Sequence, residues 1–104
     1  MNEDWRMSGA RSLRGARLQR RQWQQWSGEW DHDHCSACGA KFGSAAAPDI
    51  LHEGYTTCGD FVHGAGYEWI CPTCFSDLKA AMGWVDVPPE DGPIARRKAP
   101  PDKS

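Results

Sequence analysis

Two matched cysteine pairs constrain this chain more than any other feature. Cys35 and Cys38, in CSAC, and Cys71 and Cys74, in CPTC, share one spacing and stand 32 residues apart. A CxxC turn lets two thiolates reach one ion while neighbouring backbone N–H groups point at the sulfurs. Two such turns form a closed tetrahedral set of four thiolates, the usual structural arrangement around zinc. One pair alone would say little; two pairs separated by a hairpin-sized interval predict a single shared metal. Thiolates suit both zinc and iron, and zinc is the favoured ion.

Composition explains why such a chain needs a clamp. With 104 residues, 39% of them hydrophobic, it has enough length for one small domain and little apolar surface to bury. Its mean hydropathy is −0.70. Chains in this position usually add a metal or disulfides to offset conformational entropy. Six tryptophans, all between Trp5 and Trp84, are candidates for a compact core. The N-terminal residues MNEDWRMSGARS contain no apolar segment of a secretory signal. No stretch approaches the roughly 18 apolar residues of a membrane span. The expected location is therefore the cytoplasm, where five cysteines stay reduced and pairs of them bind metal before they form disulfides.

Charge is segregated along the chain. Residues 1–30 carry +3, residues 31–90 carry −7 and residues 91–104 carry +2. The segment ARSLRGARLQRRQWQQWS, 10–27, lacks proline and is rich in good helix formers, so residues 1–29 read as an Arg/Trp-rich helical arm. Ala16, Trp23, Trp26 and Trp30 would form its inward stripe. EWDHDHC reads as a short extended segment and SAAAPD as a loop. LHEGYTTC and GYEWIC read as two strands of a hairpin joined by GDFVHGAG. PTCFSDLKAAMGW then switches to helical period, with Phe75, Leu78 and Met82 on one face and Gly83 as its stop. The expected organisation is a metal-binding domain over residues 30–85 and a disordered, Pro-rich charged tail over 86–104.

The motif CSACG followed by CPTC resembles the paired knuckles of rubredoxin-like iron proteins and zinc ribbons. Those families usually carry glycine after the second knuckle as well, whereas Phe75 and a helical pattern follow here. A knuckle, a hairpin and a second CxxC opening a helix look instead like a treble clef, a resemblance that spans residues 34–84. It implies a small α+β zinc-dependent domain in which the positive end of the helix also favours thiolate charge. His52 lies between the knuckles, where HNH nucleases, also treble-clef proteins, place a hairpin histidine that activates water. Leu51 stands where those enzymes carry an acidic residue, no asparagine follows Asn2, and the helix lacks a histidine. Zinc deaminases and glutaredoxin-like proteins match fragments of the sequence only. Four cysteines would also close a zinc that catalysis requires to be open.

The remaining candidates are secondary. Cys58 is left over from the pairs, and a lone cysteine usually behaves as a small buried hydrophobe. His32 and His34 share one face of an extended segment, opposite Asp33 and Cys35. They read either as hydrogen-bonding supports of the metal site or, with His52 or His63, as a second site. Arg14, Arg17, Arg20 and Arg21 recur at helical spacing. They offer contacts to nucleic-acid phosphates or to an acidic protein surface, or they neutralise the acidic core of the chain itself. The function expected from the sequence is a non-enzymatic structural-zinc module with one Zn2+ that binds a protein or nucleic-acid partner. An HNH-like metal-dependent nuclease and a rubredoxin-like iron carrier are the alternatives. The sequence implies neither a membrane nor a small-molecule substrate.

Overall fold

The computed structural model describes residues 5–25 and 31–94. It begins with a short helix α1, Trp5–Gly9, and a 3-10 turn, Arg11–Leu13. Strands β1, Arg17–Gln22, β2, His32–His34, β3, Lys41–Gly43, β4, Ile50–Leu51, β5, Glu53–Thr57, and β6, Trp69–Ile70, follow. Helix α2, Pro72–Met82, and strand β7, Val85–Val87, complete the described elements. The result is a small α+β fold with two sheets.

The first sheet has the order β6-β5-β1-β7. Here the structure departs from the sequence reading. The segment expected to be a helical arm supplies a central strand, which runs antiparallel to β5 (Leu18 opposite Thr57) and parallel to β7 (Arg17 opposite Val85). The physical reason lies in tertiary pairing. Good helix formers state a local preference worth only tenths of a kcal/mol per residue, and two flanking strands override it. Among the described residues, the inward stripe expected from helical spacing does not form. Trp23 is buried at the end of β1, Ala16 is half-buried before it, and Trp26 and Trp30 lie outside the described residues.

The tail also differs from expectation. Residues 85–87 form β7, and the chain beyond it stays attached through Gln19, a fully buried polar residue of β1. The Gln19 amide donates to Thr57 O and Glu90 Oε1, both at 3.1 Å, and its Oε1 accepts from the Glu90 N–H at 2.8 Å. The Ile94 N–H donates to Gln24 Oε1 and the Ile94 side chain is buried. Only residues 95–104 of the expected disordered segment lie outside the described residues. Segments on both sides of the expected 30–85 domain thus contribute to one fold.

The hairpin and the helix form as their patterns predict. Strand β5 pairs antiparallel with β6, Tyr55 opposite Ile70 and Thr56 opposite Trp69. Helix α2 buries Cys74, Phe75, Leu78 and Met82, and Gly83 ends it in the left-handed conformation at φ 70°. A non-glycine residue would be strained there, which is why helices so often stop on glycine. Phe75 is the hinge of the packing: its ring stacks on Tyr55 of β5 at 3.6 Å and on Trp84 at 5.8 Å between centroids.

The second sheet, of order β2-β3-β4, carries the first CxxC at its turn. Its Phe42 is fully buried against Trp69 of the first sheet, with ring centroids 5.3 Å apart. The indole N–H of Trp23 donates to the buried Asp33 carboxylate at 3.0 Å and ties β2 to the end of β1. The other buried indoles are satisfied too, Trp69 by Gly66 O and Trp84 by Leu13 O. Buried indoles normally require such an acceptor, so the tryptophans join core area to specific orientation.

Candidate metal centre

The site is built from two turns delivered by different sheets. In the first, β2 and β3 pair antiparallel, and the chain between them bends through Cys35–Cys38. Gly39 N–H donates to Cys35 O at 2.8 Å and Cys35 N–H to Ala40 O at 2.7 Å. Gly39 has φ 84° with open space around it, so its conformation, not crowding, demands glycine. In the second turn, Cys71 follows β6 and caps α2. Its backbone is extended, its Sγ accepts from the Cys74 N–H at 3.4 Å, and Pro72 takes the first helical position, where no N–H is needed.

Backbone bonds lock the turns together. The Ser36 N–H donates to Trp69 O at 2.8 Å, and the Cys71 N–H donates to Cys35 Sγ at 3.3 Å. Glu68 holds a second bracket, accepting from the hydroxyls of Ser12 and Ser36, both at 2.8 Å. As a result Cys35, Cys38, Cys71 and Cys74 have all four sulfurs within 4.8 Å of one another. The Cys38 and Cys71 sulfurs are 3.8 Å apart. Four thiolates around one zinc at about 2.3 Å would have sulfurs about 3.8 Å apart along each tetrahedral edge. The cluster is thus close to the size that one ion requires. Cys35, Cys71 and Cys74 are buried and Cys38 is exposed.

The electrostatics fit a cation. Burial, followed by the charge of Cys35, pushes the Cys74 thiol well above its usual range. The Cys71 thiol is raised as well, first by burial. Burial opposes ionisation of Cys38 too. There, however, the Ala40 N–H and hydrogen bonds with the other three sulfurs prevail and hold the thiol below its usual range. The buried Cys71 and Cys74 thiols thus resist charging by themselves, and a metal held among the four sulfurs would supply the missing positive charge. Arg6 adds another: its Nη1 lies 3.5 Å from Cys74 Sγ and 3.1 Å from Asp77 Oδ2. Helix α1 brings it there, lying so close to the first turn that a Cβ on Gly9 would sit 2.4 Å from Ser36 O. No spacing pattern in the sequence marks Arg6, because a single arginine in a polar N-terminal stretch carries no periodic signal.

The other candidates stand apart from the four thiols. His32 and His34 occupy exposed positions of β2, alternating with buried Asp33 and Cys35. His52 is exposed and its Nε2 bonds Ala45 O at 2.8 Å. His63 is exposed and packs on the Tyr67 ring at 4.5 Å. Among the described residues the four cysteines are the single group of three or more His, Cys, Asp or Glu side chains arranged to hold an ion. Cys58 is 3% exposed, and burial, with the charges of Glu90 and Asp60, pushes its thiol up to about 11.

The arginines do not share a helical face. Arg14 donates to Ala81 O, Arg17 pairs with Asp60 at 3.5 Å, and Arg20 pairs with Glu53 at 2.9 Å while reaching the Tyr55 hydroxyl. Arg21 is buried and bonds Gln19 Oε1 and Gly92 O. Strand alternation, which sends neighbours to opposite faces, scatters what helical spacing would have gathered.

Among the described residues no helix is long and apolar enough to cross a membrane. The structure therefore defines a small α+β fold with a four-cysteine cluster of metal-binding dimensions. Comparison with known proteins finds no family model, no curated protein and no solved structure that matches this chain.

Proposed function

We propose that Cys35, Cys38, Cys71 and Cys74 hold one Zn2+ in a closed structural site. The chain is then a non-enzymatic, treble-clef-like module that presents its surface to a protein partner in a reducing compartment such as the cytoplasm. The convergence of four sulfurs within 4.8 Å carries this reading. The order of turn, hairpin and cysteine-capped helix supports the treble-clef likeness. Four thiolates fill the coordination sphere, and a catalytic zinc keeps a position open. The internal pairing of Arg17, Arg20 and Arg21 favours a protein over a nucleic acid, since these cations are engaged by the fold itself.

Native mass spectrometry and elemental analysis of the purified chain test the metal. The expected result is one zinc per chain, lost on Cys35→Ser or Cys71→Ser. A folded protein free of metal would refute the site, and iron in place of zinc would point to an electron carrier. Binding to duplex and single-stranded DNA at graded salt tests the partner class. Tight binding with a steep salt slope would favour nucleic acid. Divalent-dependent cleavage that disappears with His52→Ala would favour a nuclease.

A further inference from the structure

We infer that His32 and His34 form a second, surface site for a late first-row divalent ion such as Zn2+ or Ni2+, separate from the cysteine cluster. The two residues stand at i and i+2 of β2, so strand alternation sends both side chains to the same exposed face. Their ring centroids are 5.0 Å apart. With metal–nitrogen bonds of about 2.0–2.1 Å and ring nitrogens about 1.1 Å from their centroids, two imidazoles on one tetrahedral ion have centroids about 5 Å apart. The pair already has the separation of a chelate.

Two neighbours prepare it. Asp31 Oδ1 lies 2.9 Å from His32 Nδ1, which fixes that nitrogen as the proton donor and turns the lone pair onto Nε2. A carboxylate behind a ligating imidazole is the usual support of a metal-bound histidine. Across the strand pair, His32 faces Gly43, which has no side chain, and His34 faces Lys41. Strand β2 is also an edge of its sheet, and both histidines are exposed on it. Imidazole suits zinc, nickel and copper better than magnesium or calcium, which defines the class of ion. Two protein ligands leave the remaining positions to water or to a donor from a partner. The site consequently binds reversibly, unlike a closed four-thiolate cage.

The test is Ni2+ titration of the full chain as purified, at constant pH, by calorimetry and by paramagnetic broadening of the histidine ring resonances. The expected result is one saturable equivalent, with broadening confined to His32 and His34 and absent from His52 and His63. His32→Ala and His34→Ala should each abolish that equivalent, and Asp31→Asn should weaken it about tenfold. Exposed positions make these variants safe for folding, which near-UV circular dichroism checks. Zinc bound to the cysteines, measured in the same samples, should stay constant, so failure at either site is read separately. Absence of a saturable equivalent, or binding that survives either alanine variant, overturns the proposal.

Discussion

Gly54→Ala tests how the two sheets are held together around the site. Gly54 sits in β5, where the Phe42 ring of the second sheet lies directly against the backbone. A Cβ there would stand 2.7 Å from Phe42 Cε1, 2.8 Å from Phe42 Cζ and 2.8 Å from Ile70 O. Neither neighbour yields cheaply. Phe42 is fully buried against Trp69, and the Ile70 carbonyl belongs to the backbone that leads into Cys71. Overpacking of this kind costs about 1–3 kcal/mol, offset by about 0.4–1 kcal/mol from reduced freedom of the unfolded chain. The net loss is about 1–2 kcal/mol, or a fall in melting temperature of about 5–15 °C for a domain of this size. Thermal and urea unfolding followed by tryptophan fluorescence, in saturating zinc, would measure it. Gly43→Ala is the control, because its nearest new contact is an ordinary 3.5 Å to Ile50 Cγ2. Phe42→Leu should recover part of the loss in the double variant, since the clash is with the ring. A Gly54→Ala protein that melts at or above the wild-type temperature would refute the close approach and the packing of the sheets built on it.

Three further outcomes are expected. Trp23→Phe removes the donor to the buried Asp33 carboxylate and should cost about 1–3 kcal/mol in equilibrium unfolding; an unchanged midpoint would deny that this bond joins β1 to β2. Cys58 should resist alkylation at pH 8 in the folded protein and react fully in denaturant, as mass spectrometry can count, because burial keeps its thiol protonated until about pH 11. Hydrogen bonding to Arg20 holds the Glu53 carboxyl below its usual range. Its stabilising contribution is therefore complete above the unfolded value of about 4.3 and disappears as pH falls through the lower folded value. The stability difference between wild type and Glu53→Gln should shrink over that acid window, and a constant difference would contradict the pairing.

The parts of the fold that were legible in the sequence were those with a local code. The CxxC turns, the glycine stop of α2 and the period of Phe75, Leu78 and Met82 each state their structure within a few residues. The strand at Arg17–Gln22 has no such code. Its burial pattern comes from neighbours on both sides, and its glutamine and arginine at inward positions look like a solvated helix until Glu90 and Gly92 arrive to satisfy them. The same partners explain why the segment after Val87, rich in proline and charge, is held against the sheet. Arg6 was illegible for another reason: its meaning depends on a sulfur far away in sequence, and no spacing encodes it.

Strand β1 has a temporal consequence. Synthesis makes it before either neighbour: β5 follows at Glu53–Thr57 and β7 only after Met82. The cysteine cluster is likewise incomplete until Cys74 emerges. Sheet and clamp therefore close on the same late stretch, Trp69 to Val87, and little of the nascent chain before it can reach a lasting structure. Topologies dominated by distant pairings fold slowly and leave strand edges exposed meanwhile. A product released before Val85 would carry a would-be central strand with one open edge, a template for joining another copy.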